Sequence, residues 1–271
     1  MDKGFKPAWP REEEIEHLVL QTEEFIVFID KKMDVDWATN DNYKAGHSTG
    51  RKAHNEILVR AAKLECIPSD HHVKNVRINY KRMIGEAIAR SLENDERSAH
   101  RMLEDAQEYI QERNTEKSRY WFLSSSGTVA IVVSAFGYLA WCIRAWFLPF
   151  LGETAFFLAL AMTAGSLGAL LSVVMRLGKT AMNPAAGRNL HYLEGTFRVV
   201  SGCISALIVS MCVQAGILLP IFVRVNSTHL AMILSGLIAG TSERLAPSLI
   251  SRIDVEHLKK SKSGTGPQTV H

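Results

Sequence analysis

Residues 124–147 read SSSGTVAIVVSAFGYLAWCIRAWF, an apolar run whose one charge, Arg144, lies near its far end. Three runs of the same kind follow: TAFFLALAMTAGSLGALLSVVM at 154–175, VVSGCISALIVSMCVQAGILLPIFV at 199–223 and THLAMILSGLIAGTSERLAPS at 228–248. A helix of about 20 residues crosses the hydrocarbon layer of a bilayer, so each run is long enough to span. The expected fold is all-α: a helical cytoplasmic domain with a juxtamembrane stalk over 1–120, a four-helix transmembrane bundle over 121–250, and a disordered cytoplasmic tail over 251–271.

The mean hydropathy of +0.01 averages two unlike halves. Residues 1–120 carry 20 Lys+Arg and 23 Asp+Glu, whereas residues 121–271 carry 11 and 5. The basic excess therefore flanks the apolar runs, and direct nucleic-acid binding by the acidic half is not expected. Cys66 lies in the soluble half and Cys142, Cys203 and Cys212 in apolar runs, a distribution that packs small side chains rather than building a disulfide framework. The opening MDKGFKPAWPREEE lacks the apolar core of a secretory signal, so the first span is expected to direct insertion.

Orientation follows from Lys and Arg near the spans, which cytoplasmic loops retain. Arg113, Lys117 and Arg119 precede the first span; Arg176, Lys179, Arg188 and Arg198 join the second to the third; Arg244, Arg252, Lys259, Lys260 and Lys262 lie at or after the end of the fourth. Only Arg144 and Arg224 fall on the opposite side. Both termini are thus expected in the cytoplasm. The fourth span is the weakest, because Glu243 and Arg244 lie about one turn before its exit. Charges there can snorkel or pair; a re-entrant segment is the rival reading. Pro247 ends or kinks that helix.

In the soluble half, Ile15, Leu18, Val19, Phe25, Ile26, Ile29 and Met33 recur at spacings of three and four, which predicts an amphipathic helix over Glu12–Met33 with Pro10 just ahead. Glu12–Glu14 would form its solvated first turn. After turn-like Gly46 and Gly50, a second helix is expected from about Lys52 to before Pro68. Ser69 and Asp70 can cap a third, burying Val73, Val76, Tyr80, Met83, Ile84, Ala87, Ile88 and Leu92. Asn94 and Asp95 mark a turn before a fourth helix from Glu96 through Ala99, Met102, Leu103, Ala106 and Ile110. Nothing there demands a break before the first span. Two readings stand: a continuous stalk, or a short hinge. With a stalk, Tyr120, Trp121 and Phe122 would be headgroup-level anchors.

Small residues recur at helix-packing intervals: Ala161, Gly165 and Ala169; Gly202, Ala206 and Ser210; Gly236 and Gly240. Such faces let spanning helices approach when lipid supplies no hydrophobic drive. They serve packing within one chain or between copies in a homo-oligomer. Interface positions are expected at Tyr120, Trp121, Arg176, Lys179, Glu243 and Arg244. Gln214 is the one large amide in the runs, placed to bond a neighbouring helix or line an assembled pore. No filter-like sequence or ring-forming acid argues for a channel.

The soluble half holds no nucleotide loop, serine elbow or zinc spacing. His47, His54, His71, His72 and His100 read as surface histidines. Neither an enzyme nor a cofactor is expected.

Two stretches carry a resemblance. GTSERLAP at 240–247 resembles the ending of the last spanning helix in assorted bacterial membrane proteins, a Gly, Ser-Glu-Arg, Pro pattern, and LENDERSAHRMLEDAQEYIQERNTEKSRYWFL at 92–123 resembles the helix leading into their membrane. The layout, a helical cytoplasmic domain and then a small spanning bundle, is similar to membrane effectors of bacterial antiphage systems, including those beside retron reverse transcriptases. The resemblance implies an inner-membrane effector that damages the membrane and aborts infection when a cytoplasmic partner releases it. That partner would be a reverse transcriptase complex with its RNA–DNA product. It assigns no role to individual residues. The alternatives are a constitutive membrane scaffold for a cytoplasmic protein, or a small channel or transporter.

Overall fold

The computed structural model describes residues 10, 12–40, 43, 48–178, 182–217 and 227–242. Glu243, Arg244, Lys179, Gly46, His47, Pro247 and the tail at 251–271 lie outside the described residues. The chain divides near Lys117 into two compact units.

The first unit is not all-helical. A 3-10 turn at Glu12–Glu14 leads into β1 (Ile15–Gln21), β2 (Phe25–Asp30) and β3 (Val35–Thr39), an antiparallel meander with β2 in the middle. The helix expected over Glu12–Met33 is therefore replaced by a hairpin. Phe25–Ile29 are five consecutive apolar residues, all buried. Such a run is what a central strand covered on both faces requires, whereas an amphipathic helix would leave one side polar. The turns enforce it. The Thr22 hydroxyl oxygen accepts the Phe25 N–H at 3.1 Å, and Met33 sits at φ 71°, a left-handed residue that no α-helix contains. Register runs Leu18 to Phe28 and Phe28 to Asp36, with irregularities between Ile15 and His17 and between Leu18 and Leu20.

Three helices complete this unit: α1 (Ser48–Glu65), α2 (Lys74–Leu92) and the first half of α3 (Glu96–Cys142). Gly50 lies inside α1 rather than in a turn. Ser69 and Asp70 do not cap α2. Residues 69–72 form a turn closed by the His72 N–H on the Ser69 carbonyl at 3.0 Å, and Val73 precedes the first helical residue with no side-chain cap. Val73 is exposed. Asn94 turns the chain at φ 63°, and Asp95 then caps the next helix, where the Ser98 side chain first and then the Ser98 N–H, at 3.2 Å, hold its carboxyl below the usual range.

The core joins Phe25, Val27 and Val35 of the sheet with Ile57 and Leu64 of α1, Tyr80, Ile84 and Ile88 of α2, and Ala99, Leu103, Ala106 and Ile110 of α3. Glu65 ties three elements together: its Oε1 accepts the Val35 N–H at 3.0 Å and the Lys81 ammonium at 2.9 Å. Lys81 is buried, so removing Glu65 would strand a charge.

In the second unit the rest of α3 is followed by α4 (Arg144–Leu151), α5 (Glu153–Arg176), α6 (Arg188–Gln214) and α7 (Thr228–Thr241). α3, α5 and α6 are long and apolar enough to cross a membrane. α7 has 14 residues, about 21 Å of helix against roughly 30 Å of hydrocarbon. The described residues thus hold three helices of spanning length and a shorter apolar fourth, in a chain that is mostly helical with one small sheet.

Candidate functional site

The site with the most specific geometry is the contact of α5 with α6 and α7, where backbone meets backbone. A β-carbon built on Gly165 would collide with the Ala206 methyl and lie 2.7 Å from the Gly202 carbonyl oxygen. One on Gly202 would lie 2.5 Å from the Ala169 methyl and 3.0 Å from the Gly165 carbonyl oxygen. On the other flank, a β-carbon built on Gly236 would lie 2.5 Å from the Ala161 carbonyl oxygen, one on Gly240 would collide with the Gly165 carbonyl, and one on Gly168 with the Leu237 carbonyl. Gly165 is thus wedged between two neighbours. Close approach on this scale replaces side-chain interdigitation with backbone van der Waals contact, the form of association open to helices in lipid.

The sequence-selected small residues converge here. Ala161, Gly165, Ala169, Gly202, Ala206, Gly236 and Gly240 all take part in those contacts. Ser210 adds a polar link, its hydroxyl donating to the Met232 carbonyl at 3.0 Å across α6 and α7. Gly168 was not singled out in the sequence, although it falls three residues after Gly165 and carries the second half of the α5–α7 seam.

α3 joins the same unit by two seams. Gly195 of α6 packs on Ser125, Ser126 and the Phe122 carbonyl, and the Ser126 hydroxyl lies 2.8 Å from the Phe122 carbonyl and 3.2 Å from that of Gly195. Further along, Gly137 packs on Thr163. Of the expected interface aromatics, Tyr120 is exposed, but Trp121 is buried and stacks on His191 with ring centroids 6.4 Å apart. Arg176 is the exposed last residue of α5. Gln214 ends α6 and is exposed, with no side-chain hydrogen bond to a neighbouring helix among the described residues.

Sequence reading missed His191. It is 1% exposed; Nδ1 lies 3.3 Å from the Glu194 carboxylate, while Nε2 is buried without a hydrogen-bond partner among the described residues. The one available signal was a histidine followed three residues later by an acid at the polar start of an apolar helix.

In the first unit His54, His71 and His72 are half-buried and hydrogen-bonded rather than free on the surface. Nε2–H of His71 and of His72 both donate to the side-chain oxygen of buried Asn114, at 2.9 and 2.7 Å, and Asn114 donates to the Pro68 carbonyl at 3.2 Å. The two rings are 4.2 Å apart. Burial first, and then the neighbouring His72, push the His71 pKa down. His54 lies 2.7 Å from the Ser91 hydroxyl and is likewise lowered by burial. Among the described residues no three His, Cys, Asp or Glu side chains are placed to hold a metal ion. An open groove of about 430 Å³ runs along Glu56, Val59, Arg60, Lys63 and Gln107, floored by Leu64 and Ile67.

No protein-family model, curated protein or solved structure matches this chain.

Proposed function

We propose that this chain is a multi-pass effector of the bacterial inner membrane, with both termini cytoplasmic, acting in a retron-like antiviral defence. A cytoplasmic protein partner, a reverse transcriptase with its RNA–DNA product, restrains the soluble unit; release lets the apolar helices damage the membrane and abort the infection. The observation that carries this reading is α3. One uninterrupted helix of 47 residues supplies Ala99, Leu103, Ala106 and Ile110 to the soluble core and Ala130 to the core of the apolar unit. A signal received by the first unit therefore has a covalent, hydrogen-bonded element leading into the second. The net acidity of residues 1–120 favours a protein contact over direct binding of nucleic acid.

A filled seam between α5, α6 and α7 leaves no opening along those contacts, so permeability in this reading comes from rearrangement or assembly. The same filled seam favours a second reading, a quiet scaffold that holds a cytoplasmic protein at the membrane. Membrane potential in a bacterium expressing the chain alone, beside an insertion-defective control, separates them. Rapid depolarisation with growth arrest is expected; normal potential at confirmed membrane expression would favour the scaffold. The pair Gly236→Leu and Gly240→Leu should blunt depolarisation while insertion persists, and unimpaired depolarisation in a stably inserted double variant would remove the seam from the mechanism.

A further inference from the structure

We infer that α4 is an interfacial helix, seated in the headgroup boundary of a bilayer where α3 gives way to α5; the inference rests on the membrane reading above. The apolar run at 124–147 looks like one span, but the helix ends at Cys142. Ile143 leaves helical geometry at φ −103°, ψ 25°, and its carbonyl accepts the Trp146 N–H at 3.0 Å as a tighter turn. α4 then runs for 8 residues, RAWFLPFL, about 12 Å of helix. Gly152 stops it at φ 80°, ψ 157°, a conformation a β-carbon would strain, and α5 begins at the next residue.

Not one side chain of α4 is buried. Trp146 is 74% exposed and Phe150 87%. In water this would be an uncovered aromatic cluster of the kind soluble proteins avoid. Three features identify its cover as lipid. The patch is continuous along the chain with the exposed Phe136, Tyr138, Leu139 and Trp141 of the spanning helix before it. Its aromatics are of the type that settles at the boundary between hydrocarbon and headgroups. Charges stand at both ends, Arg144 at its start and Glu153 just past its end, with the Arg144 guanidinium 5.0 Å over the Trp141 ring.

Depth follows from the backbone. The peptide groups of Ile143 and Gly152 are themselves hydrogen-bonded. Ending α4 at Leu151 and starting α5 at Glu153, however, leaves the last carbonyls of one helix and the first N–H groups of the other without intrahelical partners. Hydrocarbon does not solvate such groups, so the segment belongs at the wet boundary and not at the centre. Its role is to turn α3 into α5 at a fixed level.

The test is tryptophan quenching in the full chain reconstituted into phosphatidylcholine vesicles, with bromine placed on the acyl chains either near the glycerol or near the chain end. Trp146 is isolated as wild type minus Trp146→Phe, a change that keeps the aromatic surface; circular dichroism checks that the helices remain. The expected result is at least about twofold stronger quenching of Trp146 by the shallow bromine. Equal or stronger quenching by the deep bromine would overturn the inference, because α4 would then be continuing the span. Quenching of the other tryptophans but not Trp146 would also overturn it, assigning α4 to a second copy of the chain or to water. If no tryptophan is quenched by either lipid, the membrane reading itself fails.

Discussion

In the first unit the fully buried side chains include Tyr80, Ile57, Ile84, Ile88, Leu103 and Ile110, all large. Across α5, α6 and α7 the contact positions are Gly165, Gly168, Gly202, Gly236 and Gly240, while Leu167, Leu171, Ile204, Met211, Leu234 and Ile238 face outward. Among the described residues, four large exposed hydrophobics precede Lys117 and twenty-five follow it. The same alphabet is used in opposite directions. Where water is the solvent, burying a large apolar side chain is worth about 1.5–3 kcal/mol. Where lipid is the solvent that gain vanishes, and helices adhere through small residues that let their backbones meet. The outward apolar surface of the second unit is that of helices long and apolar enough to cross a membrane.

The comparison breaks most readily at Gly240. A side chain there runs into the Gly165 carbonyl, and backbone cannot give way without parting α5 from α7. Gly240→Leu should cost the apolar unit about 3 kcal/mol or more, seen as loss of protease resistance in detergent. Gly127→Leu, with nothing within 4 Å of its β-carbon, should not.

A second pair sharpens the contrast with one chemistry. Leu103→Ala in the soluble core should cost about 2–5 kcal/mol in denaturant unfolding. Leu171→Ala, on a half-exposed spanning position, should cost under about 1 kcal/mol. Equal costs would mean that the outward face of α5 is covered by protein.

The third is a pH effect confined to the soluble unit. His71 and His54 are held below the ordinary imidazole value of 6.5, so the folded state binds protons less readily than the unfolded chain. Stability is then full above about pH 6.5 and declines as pH falls through the lowered values. His71→Gln together with His54→Gln should flatten that decline in urea titrations at successive pH values.

The smallest effect is expected at His191. His191→Phe keeps an aromatic ring beside Trp121 and removes the buried nitrogen that has no partner among the described residues. Stability should change by less than about 1 kcal/mol, toward greater stability. A larger loss would reveal a polar partner for Nε2.

Much of this contrast was legible in the sequence because lipid-facing runs and small-residue spacing are local signals. Ala161, Gly165 and Ala169 lie four residues apart and meet their neighbours as helical periodicity requires. The sheet was not legible by the same rule, since Ile15, Leu18, Val19, Phe25, Ile26 and Ile29 satisfy helical spacing while Phe25–Ile29 also make a buried strand. What decided between them was turn chemistry at Thr22 and Met33, and a left-handed Met carries no compositional mark. The break at Ile143 was hidden for a different reason: hydropathy sees continuous apolar residues and is blind to backbone direction. Asn114 was hidden by distance, because its partners His71 and His72 lie over forty residues away.

The shared ownership of α3 sets a schedule for biosynthesis. Strands and helices as far as Leu92 emerge from the ribosome with an incomplete interior, which Leu103 and Ile110 close only later. The first lipid-seeking stretch follows within some twenty residues of Ile110, about one to four seconds at ordinary elongation rates. On the proposed membrane reading, folding of the first unit and capture of the nascent chain by the insertion machinery fall in the same brief interval, and a slower folder at Leu103 would reach the membrane with its interior still open.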